Sequence, residues 1–498
     1  MSRVAAIRRR LLKFSLRALT LVGLLLVTVS PLVSRQGLVL AAGLLALAMM
    51  AGLLLVSRRD SQAILTLMLL LLFLLPENYV IVGPLKSVGN PAQLVGTLAL
   101  VLWLAGRVLD LIPAVRAHPV RWLYLVFAAT SLTAYIAAQL RTLAPMEASG
   151  VARSIFPILA MLGIGLLSTD GLGTRERVET LLRRLVVIGG VAAAIGIVEF
   201  FDHGFNYFTF MHLPGLTTNT LVINDTRSGF SRVDGAAAHP IEYSVAMAAL
   251  VPLALHFALY SPTRHERRRS WIAFVLMASV IPMTVSRSGL LTIAVGLIFY
   301  AVHLSGRARI NALVIGVLGL GVFRAAVPGL LGTLRGLLLI GDKDPSIQGR
   351  TEDYARIPAL VENHLWFGRG LGTFQPLQYF YLDNQYLGCL LEGGIVELAA
   401  FVALFITGIC VARGIRHRAV DDDLRGLGQA LAGGIAALAL SAGTFDLLSF
   451  RQTAFLVFLL VGCAGALWTS VRHLPHRSGR PVAAATVAPT PSPQQAQA

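Results

Sequence analysis

Charge is what this chain of 498 residues has least of. Only 13% of its residues are Asp, Glu, Lys or Arg, while 56% are apolar, and a soluble domain carries roughly 25% charge. That is too little to coat a water-exposed surface, so a water-soluble enzyme is excluded. An isolated anchor on a globular domain is excluded as well, because apolar runs near the ~18 residues needed to cross a bilayer recur from the first quarter to the last. The runs are continuous rather than alternating, which excludes a β-barrel. Cysteine is nearly absent, and Cys389, Cys410 and Cys463 lie in or beside apolar runs at no metal-ligand spacing. Neither a disulfide framework nor a zinc site is expected. With no HExxH or other clustered ligand spacing, no bound metal or cofactor is expected. Acids are few beside bases, 25 against 42, for a net charge of +17. In a soluble chain this would suggest nucleic acid.

What is present points to an all-α, polytopic integral membrane protein. Fourteen spans (twelve to fourteen, since several are short) are read at 18–34, 37–56, 62–76, 92–109, 122–140, 154–168, 185–201, 240–260, 271–285, 288–304, 311–329, 385–411, 427–447 and 452–470. Basic residues concentrate on the cytoplasmic side of such proteins. With the N-terminus inside, the inner segments hold 28 of the 42 Lys and Arg but only 9 of the 25 acids. The basic excess is therefore a topology signal, and nucleic acid is not needed to explain it. The expected organisation is a cytoplasmic N-terminus (1–17), helices one to eleven with an outside loop at 202–239 (18–329), a large extracytoplasmic loop (330–384), helices twelve to fourteen (385–470) and a cytoplasmic tail (471–498). The tail is Pro/Ala/Gln-rich from Pro481 on and is expected to be disordered.

The two long outside segments are where chemistry is expected, since loops of this length are functional or disordered and these contain aromatics such as Phe205, Tyr207, Trp366 and Phe374. An interfacial aromatic belt is the alternative for some of them. Arginines on this face oppose the positive-inside tendency. Arg287 sits in a tight turn between two spans, Arg232 precedes His239-Pro240, and Arg350 and Arg369 lie in the second loop. Guanidinium groups recognise phosphate bidentately and keep their charge when partly desolvated, so their convergence would suit a lipid pyrophosphate. The alternative for each is a neighbouring acid or a lipid headgroup. The glycines of Gly368–Gly372 are read as allowing a tight turn or close backbone approach. The strip Asp383-Asn384-Gln385-Tyr386 enters the twelfth span, with Glu392 about 13 Å further along a helix. Acids within spans are functional candidates. Glu392 and Glu397 fall on different helix faces, and Asp446 is expected to pair with Arg451. Of the histidines, His239 is the best placed for chemistry.

Taken in order, these motifs resemble the O-antigen ligase/O-antigen polymerase family of bacterial polysaccharide enzymes. They are Arg232-x-x-Gly235 with His239-Pro240, Ser286-Arg287-Ser288-Gly289, Gly349-Arg350, Phe367-Gly368-x-Gly370-x-Gly372, and Asp383-Asn384-x-Tyr386-Leu387 with Glu392-Gly393-Gly394. The resemblance implies metal-independent glycosyl transfer on the outer face of a bacterial cytoplasmic membrane. The donor would be an oligosaccharide on undecaprenyl pyrophosphate, and the acceptor a hydroxyl of a glycan or glycolipid. Arg287 and Arg350 match arginines that hold the pyrophosphate, with Arg232 and Arg369 assisting. Ligases of the family carry His where this chain has Asp383, so Asp383 becomes the expected base, with Glu392 in reserve and Asn384, Tyr386 and His239 as further site residues. A transporter or flippase for the same lipid-linked sugars is the alternative.

Overall fold

The computed structural model describes residues 61–82, 89–109, 112, 118–202, 205–210, 213, 215–218, 226–227, 229–339 and 345–473. The expected spans 18–34 and 37–56, the N-terminus and most of the tail lie outside them. The described chain is helical: α1 Ser61–Leu74, α2 Pro91–Val108, α3 Pro119–Gln139, α4 Pro145–Gly171, α5 Arg175–Phe201, α6 Pro240–Tyr260, α7 Arg264–Met283, α8 Arg287–Ala301, α9 Gly306–Ala326, α10 Leu330–Leu339, α11 Pro345–Val361, α12 Gln385–Arg418, α13 Asp422–Ser441 and α14 Arg451–Val471. Two short antiparallel pairs accompany them, β1 Tyr79–Ile81 with β2 Leu216–Thr218, and β3 Thr226–Arg227 with β4 Phe230–Ser231. Among the described residues nine helices are long and apolar enough to cross a membrane, namely α2 to α6, α9 and α12 to α14. Helices α1 and α8 are shorter, and α7 opens with the charged run Arg264–Arg269.

The helix starts follow from local chemistry. Proline is the first residue of α2, α3, α4 and α6, where its missing N–H costs nothing. Side chains of Asn90, Thr174, His239, Ser286 and Asn384 accept N–H groups of the first turn. Helix α4 begins at Pro145 rather than near 154, because Met146–Arg153 continues the helix as a polar extension. The interior is formed by α6, α13 and α14, whose apolar positions are buried nearly all round. Helix α6 packs on α7, α8 and α13, and α14 packs on α4 and α12.

Helix α12 is broken at Gly394, whose φ of 69° and ψ of −167° lie outside the helical region. A Cβ there would fall 2.3 Å from the Trp366 carbonyl oxygen, so only glycine admits the chain segment that crosses the break. Ile395 N donates to Leu365 O at 2.9 Å, and Gly370 N to Glu392 O at 2.9 Å. The loop before α12 thereby supplies partners for backbone groups that the kink releases.

Candidate active site

Four helix N-termini meet at one end of the bundle. Gly289 in the first turn of α8 lies against Ser244 in α6, where an added Cβ would come within 2.6 Å of the Ser244 Cβ. Gln452 N at the start of α14 donates to Glu242 Oε1 of α6 at 2.7 Å. Helix α12 joins through the turn after α13, since Gln385 N donates to Ala442 O at 2.7 Å. Ser441, the residue before, shares a hydrogen bond with Thr292 of α8, which also donates to Ser288 O at 2.6 Å. The first N–H groups of a helix carry a partial positive charge; those of α14 are taken by Glu77 and Glu242, which leaves the start of α8 as the place suited to an anion.

Arg287 stands at the first position of α8, directly after the Ser286 cap, and is partly exposed. Val285 before it holds φ at 51°, an unfavourable conformation for a β-branched residue and one that concentrates at functional sites. Arg232 reaches this turn, its Nε donating to Thr284 O at 2.9 Å. His239 caps α6, accepting Ile241 N on Nδ1 at 3.1 Å, and its ring lies 6.0 Å from that of Phe450. Arg350 belongs to α11, its side chain lying outside the described residues.

Asp383 and Asn384 precede α12. Asn384 Oδ1 accepts Tyr386 N and Leu387 N, and its Nδ2 donates to Tyr354 of α11 at 3.2 Å. The Tyr386 hydroxyl donates to Ala439 O at 2.7 Å, which fixes α12 to α13. Gln385 then grips the turn after α13, accepting Leu448 N on Oε1 at 2.7 Å while its own N–H also reaches Phe445 O at 3.2 Å. The Ser441–Phe445 turn is thus the bridge between the Arg287 turn and the Asp383 strip.

Glu392 and Arg369 are placed otherwise. Glu392 Oε1 accepts Phe374 N at 3.1 Å, so its carboxyl is held by the glycine turn. Gly368, Gly370 and Gly372 all have positive φ, and Gly370 lies against Ala138 of α3, in keeping with the close approach expected of them. Arg369 lies over the Tyr379 ring at 4.8 Å and is 3.5 Å from Glu147, which also takes the Tyr379 hydroxyl at 2.8 Å. Burial and that hydrogen bond push the Tyr379 phenol up. A cavity of about 430 Å³ opens beside Arg369, lined among others by Arg141, Asn363, His364, Trp366 and Phe367. Exposed indole and phenyl faces next to amide and guanidinium groups can take a sugar ring. Glu397, beyond the kink, receives Ser131 Oγ at 3.0 Å.

One expected pair is corrected. Arg451 does not pair with Asp446; its Nη1 lies 3.0 Å from Glu77, a residue far away in sequence. Asp446 instead sits in the turn gripped by Gln385, where burial, with the Asp383 carboxylate adding to it, pushes its carboxyl up to about 7. A carboxyl raised in the folded state stabilises the fold fully below its unfolded value near 3.8, and that contribution is lost as pH rises through about 7. Asp446→Asn does not titrate, so its melting temperature relative to wild type should climb between about pH 4 and about pH 7 and level off above that. A constant difference across that range, measured by thermal unfolding in detergent, would contradict the assignment. Neither Asp446 nor the Ser441–Phe445 turn was singled out as part of a site by the sequence reading. Glu242 was missed too, although an acid within an apolar span is the same signal that marked Glu392.

Residues 272–402 match the family profile described as O-antigen ligase. A comparison with curated proteins gives no match. The stretch that is similar to this family runs from α7 into α12. It includes Arg287, Arg350, Arg369, Asp383, Asn384, Tyr386 and Glu392, whereas Arg232 and His239 precede it in sequence.

Proposed function

We propose that this polytopic membrane protein is a polysaccharide polymerase or ligase that transfers a glycan from a polyprenyl pyrophosphate, of the undecaprenyl type, to an acceptor hydroxyl. The observation that carries this reading is Arg287 at the N-terminus of α8, beside the N-terminus of α6 and bridged by the Ser441–Phe445 turn to Asp383. Arg287 and Arg350 hold the pyrophosphate, with Arg232 steadying the Thr284–Arg287 turn. Asp383 takes the proton of the acceptor hydroxyl, whose oxygen bonds to the anomeric carbon of the donor. The bond from that carbon to the pyrophosphate oxygen breaks, and its electron pair leaves with the pyrophosphate. Fixed positive groups aimed at the departing charge lower the barrier, because they need no reorganisation as the charge develops. In this reading the site faces outward, both termini are cytoplasmic, and the segment 330–384 is the extracytoplasmic loop that completes it.

The decisive measurement is transfer by the purified protein in proteoliposomes that contain a polyprenyl-pyrophosphate glycan and an acceptor. Product formation insensitive to a chelator is expected. Movement of the lipid-linked glycan across the bilayer without product would favour a flippase instead. In cells, loss of long chains with single repeat units still on the acceptor would identify a polymerase. Complete chains accumulating on the lipid carrier would identify a ligase.

A further inference from the structure

The same end of the bundle holds a second charged cluster that the transfer chemistry does not use. Glu77, before β1, and Glu242, in the first turn of α6, are both buried, at 3% and 0% exposure. Helix α14 has no side-chain cap of its own at Phe450. Its first two N–H groups are taken by these carboxyls: Arg451 N donates to Glu77 Oε1 at 3.1 Å and Gln452 N to Glu242 Oε1 at 2.7 Å. Glu242 Oε2 accepts Ala238 N at 2.9 Å. Among the described residues one guanidinium is seen on the pair, with Arg451 Nη1 3.0 Å from Glu77 Oε1 and its Nε on Gln93 Oε1 at 3.1 Å. Glu77 Oε2 is buried and receives no N–H or hydroxyl from the described residues, and the two carboxyls lie side by side, since they accept the consecutive N–H groups of Arg451 and Gln452.

Two ionised carboxylates facing one guanidinium would leave a buried negative charge without a counter-ion, which is expensive. Two carboxyl groups that share a site share a proton instead. One proton on Glu242, donated to Glu77 Oε2, removes the excess charge and satisfies the orphaned oxygen together. We propose that Glu242 is a positioning residue that keeps a proton at neutral pH and shares it with Glu77, thereby holding the Arg232–His239 segment in place.

The link to that segment is direct. Glu77 N donates to Ala236 O at 2.9 Å, Asn90 Nδ2 donates to Glu77 O at 2.9 Å, and Ala238 N ends on Glu242. At its other end the segment places Arg232 on Thr284 O, beside Arg287. The charged and titratable groups around Glu242 are Glu77 from the chain before β1, Arg451 from α14 and His239 from its own helix start. Glu199 of α5 lies on the far side of the segment, where it accepts Gly235 N at 3.0 Å. Loss of the proton would set Glu242 and Glu77 against each other and loosen the segment. What the segment then does rests on the pyrophosphate reading above; the shared proton does not.

The test has two arms. Infrared difference spectra of the purified protein in lipid nanodiscs should show a component of the protonated carboxylic-acid band at neutral pH that is lost in Glu242→Gln and persists in both Asp383→Asn and Asp446→Asn. A band unchanged by Glu242→Gln overturns the proposal whatever the protein catalyses. In the transfer assay, Glu242→Gln supplies the donor to Glu77 Oε2 at the cost of one of the two backbone N–H groups that Glu242 accepts, so it should keep more of the rate than Glu242→Ala and lack the alkaline fall expected of wild type. Glu242→Ala leaves Glu77 Oε2 unsatisfied and should lose roughly tenfold or more. Equal damage by Gln and Ala, or an alkaline fall retained in Glu242→Gln, would also sink it. Absence of any transfer by the wild type would count against the glycosyltransferase reading and leave the infrared arm to decide the proton.

Discussion

Arg287→Ala should lower glycan transfer by roughly 10²–10³-fold, the range seen when one preorganised donor to a developing negative charge is removed. The argument rests on position. Arg287 opens α8 behind a Ser286 cap and a Val285 held at positive φ, so its backbone is set before any substrate arrives. The preceding turn is tied to Arg232 and the following one to Ser441. Truncation removes the guanidinium but leaves the cap, so the helix should persist. Arg287→Lys should recover only part of the loss, because an ammonium is a point charge and cannot make the paired contacts of a guanidinium. The measurement is the single-turnover rate with lipid-linked donor, with insertion checked by protease accessibility. A variant of normal rate, or one whose cells make polysaccharide of normal length, would remove Arg287 from the reaction.

Asp383→Asn should cost roughly 10²–10⁴-fold in the same rate, the usual contribution of a positioned general base. Asparagine keeps the shape of the side chain and the order of the Asn384 cap but cannot accept the proton of the acceptor hydroxyl. Binding of donor alone should be little changed, since the arginines and helix N-termini lie across the Ser441–Phe445 turn. Asp383→His should restore part of the rate, because imidazole can also act as a base near neutral pH. A shift of the acid limb of the pH profile should accompany that restoration. If Asp383→Asn transfers at the wild-type rate, the base lies elsewhere, and Asp446, in the turn that Gln385 grips, is the next residue to replace.

Much of this protein is legible in its sequence because its solvent is a bilayer. A long apolar run can only be a helix there, so each of the twelve expected spans from 62 onward falls on one of the helices α1–α9 and α12–α14, nine of which are long and apolar enough to cross a membrane. Motif order likewise put Arg287 and Asp383 into one resemblance, and both positions fall within the matched residues 272–402. The partner of Arg451 was not legible in the same way. Asp446 is five residues away in sequence and Glu77 is on the other side of the chain, yet the ion pair forms with Glu77. Sequence distance does not say which helix ends adjoin.

Composition and periodicity by themselves determined that the chain is helical, that it belongs in a membrane, and which residues stand at span ends. These properties are local, fixed by transfer free energy and by backbone hydrogen bonding within one segment. Only the tertiary structure decided that the starts of α6, α8, α12 and α14 meet, that Glu392 serves the glycine turn, and that Glu77 and Glu242 share the start of α14. Those outcomes depend on helix packing, where glycines and small side chains set how closely backbones approach. A buried carboxyl then bonds to whichever donors that packing brings within reach.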